Sequence, residues 1–241
     1  MLQYLKRIYN KSQKDYYAFL SGCLENNTKK FVITTNPESI MMAENDEMLD
    51  KMLLDESVDL VPDGIAVIKA CQMLGVDVTE RITGVDIADF LISELNHQKK
   101  SIYLFGAKPE VVETFVNKIK ADYPDVQIAG YSDGYVKDRD AVFDEIVNAA
   151  PDVCLVALGI PHQEKLIYRH IDRFEKGIFV GVGGSFDVLS GCKARAPQFF
   201  IKHNIEWLYR IAKEPSRLKR FYNSNVKFIF KIRKEKNHKV S

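Results

Sequence analysis

From Lys30 to Asp187 the chain alternates short apolar runs, each closed by small or polar residues, with segments of helical spacing. The runs Phe31–Thr34, Val58–Val61, Ser101–Phe105, Val126–Tyr131, Val153–Leu158 and Ile178–Val182 read as buried strands. Helices are expected over Glu38–Leu53, Ile65–Leu74, Asp86–Leu95, Glu110–Ala121 and Asp140–Ala149, with another after Glu164. Strands that alternate with helices in this way fit few arrangements. They predict an α/β body with a mainly parallel sheet, Rossmann-like in outline, covered by helices on both faces.

The pattern changes after Ala196-Pro197. Two segments follow, Gln198–Lys213 and Pro215 to about Lys234, rich in aromatic and basic residues and separated by Pro215. Residues 191–241 hold 14 Lys/Arg against 3 Asp/Glu, whereas residues 1–190 hold 20 against 30, so a net charge of +1 conceals two opposed parts. The division expected is a body over 1–190 and a basic helical appendage over 191–241 that faces an anionic partner. The first 29 residues read as a helical lead-in, with Tyr4, Leu5, Ile8, Tyr16, Phe19 and Leu20 among charges. No apolar run approaches the 18 residues a membrane span needs, and the start lacks the apolar centre of a signal peptide, so a cytoplasmic protein is expected. Cys23, Cys71, Cys154 and Cys192 are widely spaced and read as small apolar fillers, not as a zinc or disulfide set.

In α/β proteins ligands bind outside the carboxyl ends of the strands, so polar residues there are the first candidates for chemistry. They are Thr34 and Asn36, Asp63 in Pro62-Asp63-Gly64, Arg81, Gly106, Gly159 with Gln163 and Glu164, and Gly183, Gly184 and Asp187. Each has an ordinary alternative. Pro-Asp-Gly serves as a turn with Asp63 capping a helix, Thr34 and Asn36 as caps, Arg81 as an ion-pair partner, and Gln163 and Glu164 as a first helical turn. Taken together they outline one polar cleft for a phosphorylated, hydroxyl-rich ligand. Other templates fail: Gly181-Val182-Gly183-Gly184-Ser185-Phe186 lacks the last glycine of a dinucleotide fingerprint, and no Walker loop is present. Asp138-Arg139-Asp140 spells a metal-binding DxD but follows no strand and reads as a helix start.

In order and spacing, Thr34-x-Asn36, Pro62-Asp63-Gly64, Arg81-x-Thr83-Gly84-x-Asp86, Leu104-x-Gly106, Gly159-x-Pro161-x-Gln163-Glu164 and Gly183-Gly184-x-Phe186-Asp187 resemble the WecG/TagA/CpsF glycosyltransferases. The likeness covers about residues 30–235. It implies an inverting transferase that moves an N-acetylmannosamine-type sugar from a UDP-sugar donor to the 4-hydroxyl of N-acetylglucosamine on undecaprenyl diphosphate, for a cell-surface polymer such as teichoic acid or exopolysaccharide. By the same resemblance Asp63 is the catalytic base. Thr34, Asn36, Arg81, Gln163 and Glu164 line the sugar and acceptor pocket. Gly106, Gly159, Gly183, Gly184 and Asp187 lie toward the nucleotide, and Arg210, Arg217 and Arg220 approach the acceptor diphosphate. The family implies no metal and no cofactor.

That chemistry suits the residues. A sugar hydroxyl needs a base, and departing UDP without a metal needs arginines and backbone N–H groups to meet its charge. The basic tail, with Phe221, Phe228 and Phe230, is expected to hold the protein peripherally on the inner, anionic face of the cell membrane. Other readings stay open: transfer of another UDP-hexose, a nucleotide-sugar-binding protein without catalysis, and a nucleic-acid-binding module using the same tail. Nucleic acid is not the partner expected, because it would leave Asp63 beside Arg81 without a purpose. A homo-oligomer is left open.

Overall fold

The computed structural model describes residues 1–238, apart from the side chains of Arg217, Arg220 and His238. Among these residues six strands form one sheet: β1 (Lys30–Thr35), β2 (Val58–Pro62), β3 (Ser101–Gly106), β4 (Gln127–Ser132), β5 (Val153–Ala157) and β6 (Ile178–Gly181). Their order is β2-β1-β6-β5-β3-β4, and every pairing is parallel. The four central strands are almost continuously apolar because helices cover both faces. Side chains alternate between two cores. Phe31, Ile33, Tyr103, Phe105, Cys154, Val156 and Phe179 face one, while Val32, Ile102, Leu104, Val153, Leu155 and Val180 face the other.

All six strand positions follow the expected alternation, since each is a short apolar run with a turn at its end. The helix expected over Glu38–Leu53 is instead two, Pro37–Ala43 and Glu47–Leu54. Asp46 makes the break: its side chain accepts a hydrogen bond from Leu49 N at 3.2 Å and caps the second helix. The lead-in is likewise two helices, Leu2–Leu5 and Gln13–Glu25. Between them Tyr9 N donates to Leu60 O at 2.8 Å, which covers part of the outer edge of β2. Of the cysteines, Cys23, Cys71 and Cys154 are buried as expected, but Cys192 is exposed.

The tail crosses back over the body in helices Gln198–Lys202, Glu206–Lys213 and Arg217–Phe221. A π-helical turn over Tyr222–Val226 then leads into Lys227–His238. The last helix is part of the core. Phe228 and Ile232 are fully buried in the cluster that contains Leu5, Val67 and Cys71, and Lys231 pairs with Glu44. This corrects the expectation that Phe228 faces a membrane; the helical period sends it inward and leaves Phe230 65% exposed. Phe221 stacks on Trp207 at 4.4 Å between ring centres. Phe228→Ala should therefore lower the free energy of unfolding by about 3–5 kcal/mol. Urea titration of the full chain checks this, and a cost near zero would place Phe228 outside the core.

Candidate active site

In a parallel sheet the carboxyl ends of all strands lie along one edge, and this edge gathers most of the residues singled out from the sequence. Thr34 pairs with Val61 and Thr35 with Pro62, so Asp63 emerges directly beside the end of β1. Asp63 N donates to Thr35 O at 2.9 Å, extending the ladder by one bond, and Gly64 turns the chain into the next helix with a φ of 103°. Asp63 does not cap that helix; the cap position falls to Gly64. Its carboxylate is left for other use.

Arg81 reaches the same place by a backbone tether. Ile82 N donates to Pro62 O at 2.9 Å, which holds the loop before helix Gly84–Gln98 against the end of β2. Thr83 then caps this helix, accepting from Asp86 N at 3.2 Å and donating to Asp86 Oδ2 at 2.6 Å. Arg195, from the segment after β6, pairs with Asp86. Beside Arg81 opens a cleft of about 890 Å³, walled by Tyr17, Asp86, Phe90, Arg195 and Gln198. Its volume suits a sugar or nucleotide ligand.

The tail supplies the next layer. Glu206, the first residue of helix Glu206–Lys213, is 7% exposed and lies between two arginines. Arg81 Nη2 donates to its Oε2 at 3.0 Å, while Arg210 donates Nε–H at 3.1 Å and Nη2–H to its Oε1. Glu206 was not a candidate from sequence. Its signal there is its place four residues before Arg210, as one of three acids in a basic tail. Burial alone would raise its pKa, but Arg210 and Arg81 outweigh burial and hold it below the usual value.

Asp63 itself is half-buried. Loss of solvent pushes its carboxyl up to about 6, against the pull of Arg81 and Arg210 and with the help of Glu206 and Asp86. A carboxylate with a pKa near 6 is ionised at neutral pH yet a stronger proton acceptor than an exposed one.

Other candidates serve the edge differently. Thr34 is buried, and its hydroxyl donates to Gly181 O at 3.3 Å. Asn36 does cap helix Pro37–Ala43, accepting from Ser39 N at 3.0 Å. Gln163 is buried as a brace: its Oε1 accepts from Gly159 N at 3.1 Å and Gly183 N at 3.0 Å, tying together the loops after β5 and β6. Its Nε2 donates to Glu164 Oε1 at 2.8 Å, while Glu164 Oε2 is buried without a hydrogen-bond partner. Burial lifts the Glu164 carboxyl to about 7, partly offset by the Gln163 bond.

Gly106 is required by packing, because a Cβ there would lie 2.4 Å from Ala157 O. Gly183 and Gly184 border open space, and Asp187 pairs with Lys193 at 3.0 Å. The expected roles of Arg217 and Arg220 fall on side chains outside the described residues. Asp138 caps helix Arg139–Ala149, and Asp140 pairs with His170 and Arg169, as their helix-start reading implies. Among the described residues no group of three His, Cys, Asp or Glu could hold a metal ion.

A parallel α/β sheet with a carboxylate and arginines at the carboxyl ends of its strands is an arrangement able to accept a proton and to meet anionic charge. Residues 4–241 match the model of the "Glycosyl transferase WecG/TagA/CpsF family". The chain belongs to that family. It is 42% identical over 210 residues to the N-acetylglucosaminyldiphosphoundecaprenol N-acetyl-beta-D-mannosaminyltransferase of Bacillus subtilis (strain 168), covering 87% of this chain and 81% of the relative. Enzymes of the same name in Bacillus spizizenii (strain ATCC 23059 / NRRL B-14472 / W23) and Staphylococcus aureus (strain MW2) are 39% and 36% identical. The alignments cover 82% and 86% of this chain and 76% and 80% of those relatives.

The raised pKa of Asp63 has a thermodynamic consequence. Its folded value of about 6 exceeds the ordinary value of 3.8, so its contribution to stability is full below pH 4 and is lost as pH rises through 6. Asp63→Asn removes the charge that is costly above that range. The variant should be more stable than wild type by roughly 1–3 kcal/mol at pH 8, with the gain vanishing below about pH 4. Urea unfolding at the two pH values measures the difference; equal stabilities at pH 8 would mean that Asp63 is not desolvated.

Proposed function

We propose that this protein transfers N-acetylmannosamine, or a close relative, from UDP to N-acetylglucosamine carried on undecaprenyl diphosphate, with inversion, for a cell-surface polymer. The observation that carries the reading is Asp63, a carboxylate at the end of β2 with a pKa of about 6, set among Arg81, Arg210 and Glu206. The names of the relatives supply the acceptor and the sugar.

Asp63 takes the proton of the acceptor 4-hydroxyl as its oxygen bonds to the donor's anomeric carbon from the face opposite UDP. The bond from that carbon to the diphosphate breaks, and its electron pair leaves with UDP. Arg81 and Arg210, joined by Arg217 and Arg220 of the tail, meet the diphosphate charges of the two substrates; a preorganised donor of this kind contributes about 3–4 kcal/mol to the transition state. Thr34 and Asn36 face the sugars. Gln163 and Glu164 shape the loops that receive them, and Gly106, Gly159, Gly183, Gly184 and Asp187 border the nucleotide.

The functional division proposed is a body over 1–190 and an appendage over 191–241 that completes this site. The appendage also carries exposed Phe199, Trp207, Leu208, Leu218, Tyr222 and Phe230 among its basic residues. Such a surface seats peripherally on an anionic bilayer, where the lipid acceptor resides. No helix among the described residues is long and apolar enough to cross a membrane.

A panel of UDP-sugars with a short-chain diphospholipid acceptor tests the proposal by UDP release and product mass, with UDP-N-acetylmannosamine expected to be the best donor. Asp63→Asn should lower turnover at least about 10²-fold while leaving UDP affinity within a few-fold. A variant that keeps most of its activity would remove Asp63 from the base role. EDTA should leave turnover unchanged, and strict dependence on manganese or magnesium would overturn the metal-free mechanism.

A further inference from the structure

Glu206 is the point at which the tail and the body share a charge. Each of its carboxylate oxygens serves a different guanidinium, Oε2 that of Arg81 from the body and Oε1 that of Arg210 from its own helix. A carboxylate buried to this degree is destabilising unless paired, and one arginine at i+4 would suffice for a helical pair. The second arginine lies 125 residues earlier in the chain. The arrangement also leaves donors over. Of five N–H groups on each guanidinium, Glu206 engages one on Arg81 and two on Arg210, so both retain hydrogens for an anionic ligand.

We propose that Glu206 is a positioning residue for transfer: it locks Arg210 of the tail beside Arg81 of the body and offsets part of their charge at Asp63. The inference rests on the transferase reading above for its kinetic consequence, but its electrostatic consequence stands apart from that reading. Asp63 is influenced by Arg81 from its loop, Arg210 and Glu206 from the tail helix, and Asp86 from helix Gly84–Gln98. In Glu206→Gln the amide oxygen still accepts from Arg210 while Arg81 keeps its own loop tether, so both cations stay in place and act on the base undiminished. What is lost besides the charge is the direct bond from Arg81 that joins tail to body. A base over-stabilised as its carboxylate is a weaker proton acceptor, so the same residue serves both the grip on the diphosphate and the strength of the base.

The test uses the full chain as wild type, Glu206→Gln, which keeps the shape and one acceptor, and Glu206→Asp, which keeps the charge. Turnover on the short-chain acceptor is followed from pH 5 to 9. The Asp63 carboxyl is titrated by carbon-13 NMR, its signal identified by loss in Asp63→Asn. Glu206→Gln should lower kcat/KM for the acceptor at least about tenfold and move the Asp63 midpoint downward by about half a pH unit or more, with Glu206→Asp recovering most of both. Turnover within twofold of wild type in Glu206→Gln overturns the proposal. So does a fall in turnover with an unmoved or raised midpoint, which is what loss of a merely structural ion pair would give. If the wild type fails to turn over these substrates, the transferase reading fails, and the Asp63 midpoint alone decides: a downward shift in Glu206→Gln upholds the electrostatic role, and any other result rejects it.

Discussion

The candidate site depends on a partly desolvated carboxylate at the end of a parallel strand. Desolvation raises the free energy of ionised Asp63, and the fields of Arg81 and Arg210 lower it, with neither effect cancelling the other. That balance requires cations at fixed places, and the chain fixes them by different means. Arg81 is set by the backbone bond from Ile82 to Pro62, which makes its loop an extension of β2. Arg210 is set by a helix that meets the body through Glu206. The candidate site therefore draws on two regions far apart in sequence, one at the edge of the sheet and one laid over it.

Docking of the tail rests on more than this ion cluster. The cost of desolvating the buried Glu206 pairs cancels much of their attraction, whereas a buried aromatic contributes several kcal/mol. Phe228 and Ile232 anchor the last helix in the same core that packs beneath helix Ile65–Met73, and the ion cluster then sets where the preceding helix lies. Apolar burial thus supplies most of the affinity of tail for body, and the charged contacts supply its register. The last helix turns apolar Phe228 and Ile232 inward, whereas the helix over Glu206–Lys213 buries the charge of Glu206.

Much of the fold was legible because parallel strands buried on both faces must be short, apolar and followed by turns. The strand ends were legible for a related reason, since each apolar run stops at small or polar residues, but Asp63 read equally well as a helix cap until the structure gave that position to Gly64. What could not be read is what depends on three-dimensional closure. Gln163 looks like any polar residue in a first helical turn, and only the arrangement of Gly159 and Gly183 around it reveals a brace. Phe228 looked like its neighbours Phe221 and Phe230, yet its helical phase, set by the π-turn before it, sends it into the core. Glu206 was hidden by the surplus of positive charge around it, which reads as a surface property until its two partners are seen.

The edge also carries a second desolvated carboxyl, Glu164, which leans on Gln163 and has one oxygen without a partner. Burial holds both it and Asp63 above their ordinary pKa values, so at neutral pH each weakens the fold where it sits. A sheet optimised for stability alone would place apolar or neutral groups at these positions. The two acids differ in their surroundings: Asp63 has arginines that favour its charged form, whereas the burial of Glu164 is opposed mainly by the Gln163 amide. One edge therefore holds two carboxyls raised by burial, of which only Asp63 has cations beside it. The stability given up by burying them is offset by the two cores on either side of the sheet.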